Sequence, residues 1–224
     1  MNGPAALFDL DGTLTDSRPG IVGSIHAALR SLGHVPDPRM DLTRVIGPPL
    51  DEVIAHVLDH YGDTRTAEAI TLYRGHYGET GLFDNALYPD IQAALAEFVA
   101  AGFTLYVATS KRTLFARRIL EHFGISGCFR GIYGSEDGGA LDHKPELLGH
   151  ILRREPIRPP AAVMIGDRRQ DIAGAHANGM RAIGVTWGYG DAGELEQAGA
   201  DALAHAASDL LSVARALVQS GSVR

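Results

Sequence analysis

Asp9 and Asp11 stand two residues apart directly after the apolar run Ala5-Ala6-Leu7-Phe8. That run reads as a short buried strand, because Asp11-Gly12 places a turn signal at its end. Carboxylates just past the carboxyl end of a strand lie where open parallel sheets bind their ligands. Other polar groups follow later apolar runs in the same way. Thr109-Ser110-Lys111 follows the run at 103–108, Asp167 and Asp171 follow the run at 162–165, and Lys144 opens a helical pattern between them. In a doubly wound sheet such loops converge on one crevice. Four carboxylates, a hydroxyl and a lysine gathered there make a site for a divalent cation and a phosphate. Carboxylate oxygens suit Mg²⁺, which binds through one or two carboxylates together with substrate phosphate and water.

The lysines carry a compositional hint. Among 20 basic residues only Lys111 and Lys144 are lysines, and every other one is arginine. A bias towards arginine replaces lysine wherever either cation serves. The two survivors therefore mark positions that need a compact, mobile ammonium rather than a rigid planar fork.

The elements that must position these groups fall into two blocks. Ile21, Ile25, Ala28, Leu29 and Leu32 repeat at helical spacing after Asp16 and Ser17, and Gly33 stops the pattern. Further helical patterns occupy 37–45, 50–60 and 64–78, with no strand-like run among them. Residues 16–86 thus read as an all-helical insert. From Pro89 onward helices and strands alternate: helix 90–101, strand 103–108, helix 113–123, strand 130–133, a glycine-rich loop at 134–142, helix 145–154, strand 162–165, helix 169–178, strand 182–185, a short strand near 201–204 and helix 207–218. That alternation predicts an α/β fold with a doubly wound parallel sheet. Residues 1–15 and 87–224 are expected to form its core, and 16–86 a separate helical domain.

Taken together, Asp9-Leu10-Asp11-Gly12-Thr13, Thr109-Ser110, Lys144-Pro145 and Gly166-Asp167-Arg168-Arg169-Gln170-Asp171 resemble the motifs of the haloacid dehalogenase superfamily. The chain is similar to its phosphatase branch with a helical, C1-type cap after the first motif, and the resemblance runs from Asp9 to about Tyr189. It implies that Asp9 is the nucleophile and Asp11 the general acid–base. It implies that Thr109 and Lys144 hold the transferring phosphoryl group, with Leu10, Asp11 and Ser110 also in the phosphate site. Mg²⁺ would be bound by Asp9, Asp167 and the backbone carbonyl of Asp11, with Asp171 supporting the metal site. The chemistry agrees, since a carboxylate nucleophile splits hydrolysis into two easier steps through an aspartyl phosphate.

Single positions separate the branches. Dehalogenases of this superfamily lack the second aspartate, which is present here as Asp11. Phosphonate hydrolysis needs a cap lysine, and residues 16–86 contain none. Sugar-phosphate mutases carry a histidine and an arginine where this chain has Ile21 and Leu50. What remains is Mg²⁺-dependent hydrolysis of a small phosphomonoester. The chain resembles the phosphoglycolate phosphatases broadly, while Ile46-Gly47-Pro48-Pro49-Leu50 and the stretch from Tyr73-Arg74 to Tyr88 look more like their 5′-nucleotidase-like relatives. A nucleoside 5′-monophosphate is the expected substrate and phosphoglycolate the alternative. A mutase or phosphotransferase and a non-catalytic phosphate-binding module are the rivals. Tyr73 and Tyr77 share a helix face with Arg74 alongside. One reading is a platform for a flat leaving group, with Arg74 and Lys111 as further specificity residues; the other packs both tyrosines into the cap's own core. Lys111 also reads as a solvated residue flanking the site, and Arg168 and Arg169 as exposed helix residues.

Composition sets the outer limits. The 224 residues are 45% hydrophobic and 21% charged, as expected of a soluble globular protein. A formal net charge of −7 argues against nucleic-acid polymers and anionic membranes as partners. The lone Cys128 leaves no internal disulfide, and the first residues lack a charged segment followed by an apolar signal stretch. A cytoplasmic monomer or dimer is expected.

Overall fold

The computed structural model describes residues 3–43, 45–136, 139 and 141–220. Its centre is strand β1 (Ala5–Phe8), every residue of which is buried. Two strands follow as a small antiparallel ribbon, β2 (Thr15–Asp16) with β3 (Ala86–Leu87), in the register Thr15↔Leu87 and Asp16↔Ala86. The remaining strands are β4 (Thr104–Arg112), β5 (Gly131–Ser135), β6 (Ala162–Gly166), β7 (Arg181–Val185) and β8 (Ala202–Ala204). With β1 they make one six-stranded parallel sheet in the order β5-β4-β1-β6-β7-β8. The chain builds outward from β1 to one edge, then returns and builds to the other. The crevice of a doubly wound sheet lies at that reversal, so β1 and its neighbours β4 and β6 carry the groups beside it.

Alternation along β1 assigns the two faces of the sheet. Ala6 and Phe8 belong to one apolar cluster, with helices α4 (Ile91–Ala100), α5 (Thr113–His122) and α9 (Leu210–Ser220). Ala5 and Leu7 belong to the other, with α6 (Lys144–Arg154), α7 (Arg169–Ala177) and the short α8 (Ala192–Gln197). Between β2 and β3 lie α1 (Arg18–Ser31), α2 (Leu50–Asp59) and α3 (Thr66–Glu79), with α3 packed against both α1 and α2. No helix among the described residues is long and apolar enough to cross a membrane.

The structure departs from the sequence reading at four places. The helix expected at 37–45 is not formed: the described residues of that span run in turns and bends, and residue 44 lies outside the described residues. Asp37 and Asp41 accept hydrogen bonds from the backbone amides of Arg39 (2.9 Å) and Thr43 (3.1 Å), which satisfies locally the amides a helix would use. The expected all-helical insert begins and ends in the β2–β3 ribbon, whose two-residue strands are too short to leave an alternating pattern. Strand β4 continues through Thr109-Ser110-Lys111 to Arg112 instead of ending at 108, with its register on β5 shifting between Ala108 and Arg112. Helix α8 went unseen because it has six residues and buries only Leu195; Asp191 caps it by accepting from the Glu194 amide.

Phe98 of α4 is fully buried and meets Phe8 and Phe103 edge-on at centroid distances of 5.5 and 5.0 Å. Phe98→Ala is expected to lower the unfolding free energy by about 3–5 kcal/mol in urea titrations. A loss below about 1 kcal/mol would mean that this face of the sheet is not the packed core described.

Candidate active site

The site begins where β1 runs out of apolar residues. The Asp9 amide still donates to the Ile165 carbonyl at 2.9 Å, so Asp9 is held as a continuation of the sheet. The chain then turns over Leu10, whose carbonyl accepts from the amides of Leu14 and Thr15, both at 3.0 Å. Gly12 is at φ +81°, and a Cβ there would collide with the carboxylate of Asp167. Glycine thus lets the Asp11-Gly12 turn fold against the end of β6. Asp167 accepts from the Tyr189 amide (2.7 Å) and the Thr13 hydroxyl (3.3 Å).

Beneath this turn lies a group of buried charges. Asp9, Asp167 and Asp171 are each no more than 6% exposed, and oxygens of all three lie within 4.8 Å of one another. A single ammonium faces them. Lys144, at the start of α6, places Nζ 2.6 Å from Asp171 Oδ1 and 3.0 Å from Asp9 Oδ1, and donates to the Ala108 carbonyl at 2.7 Å. Burial by itself would lower the Lys144 pKa, yet Asp171 and Asp9 outweigh it and raise it. The carboxylates are less well compensated. Burial pushes Asp9 up to about 6 against the pull of Lys144, and burial, with Asp171 and Asp9 nearby, drives Asp167 well above the ordinary carboxylate range. Three buried carboxylates and one ammonium leave negative charge over, and the donors are all hard oxygens. A small divalent cation of the Mg²⁺ type fits that set.

On the other side of Asp9 the groups are held by hydrogen bonds to the insert. The Ser17 hydroxyl donates to Asp11 Oδ1, and Lys111 places Nζ 2.8 Å from Asp11 Oδ2. The same ammonium donates to Tyr77 Oη at 2.7 Å. Thr109 is buried beside them and accepts from the Lys111 amide at 3.2 Å. A cavity between sheet and insert is lined by Asp9, Asp11, Thr109 and Ser110 on one side and by Tyr73, Arg74 and Tyr77 on the other. Lys144 and Asp171 adjoin this cavity through Asp9, whose Oδ1 lies 3.0 Å from the Lys144 ammonium. The Leu10 side chain is in the apolar core, so only its backbone faces polar partners.

Lys111 and Arg168 differ from the sequence reading, and of the two readings of the tyrosine pair the rings follow the packed one. Tyr77 is 1% exposed: its ring stacks on Tyr73 (5.5 Å, 8°), meets Phe115 edge-on at 5.4 Å and has the Lys111 ammonium 4.5 Å from its centre. The two rings are engaged with each other and with Lys111, which leaves little open face for a stacked ligand. Lys111 is buried and ion-paired rather than solvated. Arg168 is buried too, because it precedes α7 in extended conformation and reaches across to the insert. Its Nε donates to Glu194 Oε1 at 3.0 Å and a terminal nitrogen donates to the Ile46 carbonyl, while its own amide donates to Asp171 Oδ2 at 3.1 Å. Arg169 is exposed, as read. Sequence reasoning missed Thr13, Ser17 and Tyr189. The signal was available in Trp187-Gly188-Tyr189-Gly190, which leaves the carboxyl end of β7 as the acidic loops leave β1 and β6.

Removing Lys144 strands like charges in the interior. Lys144→Met is expected to cost about 3–5 kcal/mol of stability in chelator at neutral pH, with part of the loss recovered when Mg²⁺ is added. Urea unfolding with and without the ion reads both effects. Wild-type stability in chelator would mean that the ammonium does not hold the carboxylates together.

Known proteins are similar to this chain over most of its length. The family description "Haloacid dehalogenase-like hydrolase" matches residues 6–185. A 5′-nucleotidase of Pseudomonas aeruginosa is 44% identical over 195 residues, 86% of each chain. The tyrosine-protein kinase PtkA of Mycobacterium tuberculosis is 41% identical over 203 residues, covering 90% of this chain and 68% of that one. A crystal structure of a predicted phosphatase from Clostridium acetobutylicum superposes with a TM-score of 0.89 at 36% identity, over 97% of this chain and 100% of that chain. With the motif order, the sheet and the carboxylate cluster all in agreement, the chain belongs to the haloacid dehalogenase-like hydrolases, in their phosphatase branch.

Proposed function

We propose that this phosphatase is a Mg²⁺-dependent phosphomonoesterase that works through an aspartyl phosphate on Asp9. One observation carries the reading: the oxygens of Asp9, Asp167 and Asp171 converge within 4.8 Å on a single ammonium. Asp9, Asp167 and the Asp11 backbone carbonyl, with Asp171 in support, would hold the ion. When bound, Mg²⁺ neutralises the charge that opposes attack of an anion on an anion.

The residues then divide the work. An Asp9 oxygen attacks phosphorus, the bond to the leaving oxygen breaks, and Asp11 gives that oxygen its proton. Water attacks the aspartyl phosphate while Asp11 takes back a proton, which frees phosphate and restores Asp9. Thr109 and Lys144 hold the phosphoryl oxygens, with Leu10, Asp11 and Ser110 beside them. Ser17 and Lys111 orient the Asp11 carboxyl. Residues 1–15 and 87–224 act as the catalytic core and 16–86 as a cap that turns on the β2–β3 ribbon and shields the phosphoryl group from bulk water.

The substrate class we favour is a nucleoside 5′-monophosphate, supported by the identity to the P. aeruginosa 5′-nucleotidase; phosphoglycolate is the alternative. A second reading is transfer of the phosphoryl group to an acceptor hydroxyl in place of water, which the identity to PtkA favours. Added alcohol acceptors that lower phosphate release while a phosphorylated acceptor accumulates would distinguish it.

Phosphate release from nucleotides, phosphoglycolate and p-nitrophenyl phosphate, with Mg²⁺ and with chelator, tests the activity. Asp9→Asn is expected to lose at least about a thousandfold in kcat, and Asp11→Asn about 10²–10⁴-fold, with melting temperatures near wild type. Wild-type turnover by a pure Asp9→Asn protein would falsify the nucleophile assignment.

A further inference from the structure

The lining of the cavity holds two shielded polar atoms without a hydrogen-bond partner among the described residues. Arg74 on α3 has its Nε shielded from solvent with no hydrogen-bond partner among the described residues, and Asp142 Oδ1 is in the same condition. Both residues line the cavity that also reaches Asp9 and Thr109, and Asp51 of α2 lines it with them. Buried polar atoms in folded proteins nearly always have partners, so an unpaired donor and acceptor lining one cavity require a reason. They do not satisfy each other, for no ion pair joins them. They are nevertheless near enough to act on one another: burial and the charge of Asp51 raise the Asp142 pKa, while a hydrogen bond from Ser135 to its carboxyl group and the charges of His143 and Arg74 work against the rise.

The backbone supports a functional cause. Leu141, directly before Asp142, is at φ +67°, one of two non-glycine residues with positive φ among the described residues. A leucine held there is strained, and such strain concentrates where a fold must aim a neighbouring group. The charges define what that group can accept. Asp142 and Asp51 present negative charge to the cavity. Two cations besides Arg74 line it: Lys111, already engaged by Asp11 at 2.8 Å and Tyr77 at 2.7 Å, and Arg112 at the end of β4.

We propose that Arg74 and Asp142 form the leaving-group subsite. It accepts a neutral group that offers an N–H or O–H donor to Asp142 beside an acceptor for Arg74, as the edge of a nucleobase does, and it rejects a carboxylate. This rests on the phosphomonoesterase reading and narrows it: a nucleoside 5′-monophosphate fits, and phosphoglycolate meets the two carboxylates. Specificity then arises partly from repulsion of the wrong ligand, as it does where like charges face each other. Tyr73 and Tyr77 position α3 and do not read the substrate.

The test compares kcat/KM for nucleoside 5′-monophosphates with that for phosphoglycolate. The wild type is expected to prefer nucleotides. Asp142→Asn removes the charge and keeps an oxygen acceptor, so it should lower the nucleotide-to-phosphoglycolate ratio at least tenfold, with phosphoglycolate turnover rising. Arg74→Met should lower kcat/KM for nucleotides at least fivefold, mainly through KM. A wild-type preference for phosphoglycolate overturns the proposal, and so does a ratio within twofold of wild type in whichever variant melts normally. Should the wild type release phosphate from no phosphomonoester, the phosphatase reading fails alone, and calorimetric titration of unphosphorylated nucleosides and of glycolate into wild-type protein decides the subsite. Nucleoside binding without glycolate binding supports it; glycolate binding, or binding of neither, overturns it.

Discussion

Everything in this molecule is arranged about a charge imbalance that the protein does not itself correct. Asp9, Asp167 and Asp171 are buried together with Lys144 as their one ammonium. Burying a charge without a partner costs several kcal/mol, which a fold meets with pairing, hydrogen bonds or a metal. Here the fold supplies part of each: the Lys144 bridge, the Tyr189 and Arg168 amides, and an all-oxygen set open to a cation. The sheet order places those acids side by side. Because β1 lies between β4 and β6, its carboxyl end is flanked by Thr109 on one side and Asp167 on the other.

The insert is tied to this centre on both sides of the cavity. On one, Lys111 joins Tyr77 of α3 to Asp11. On the other, Arg168 reaches the Ile46 carbonyl while its own amide holds Asp171. Each tie runs between a residue of the insert and a residue beside the buried carboxylates. The position of the insert and the setting of Asp11 and Asp171 are therefore held by the same contacts.

How much was legible in the sequence follows from how local each cause is. The strands at Ala5–Phe8 and Ala162–Gly166 were readable because continuous apolar runs need no distant information. The acids after them were readable because parallel sheets place ligands at strand ends. The scarcity of lysine pointed to Lys111 and Lys144, and both prove to be buried ion-pair partners of carboxylates. The turns at 37–43 were missed because side-chain to backbone bonds outcompeted a helical pattern. Arg168 was misjudged because its burial depends on a carbonyl 122 residues away in sequence. Tyr77 was ambiguous for a similar reason: its helix face was legible, but the Lys111 that claims its hydroxyl lies on another element.

The β2–β3 ribbon carries an implication for how such a protein diversifies. Thr15 pairs with Leu87, so the two ends of the insert leave the sheet as neighbouring strands, about 5 Å apart. Seen from the sheet, some seventy residues are a side loop on a closed collar. A segment attached in that way can be lengthened, shortened or exchanged wholesale while the strand order beneath it stays as it is. Recombination at this collar would graft a new recognition surface onto unchanged hydrolytic machinery, making the ribbon a natural junction for building chimeras in the laboratory.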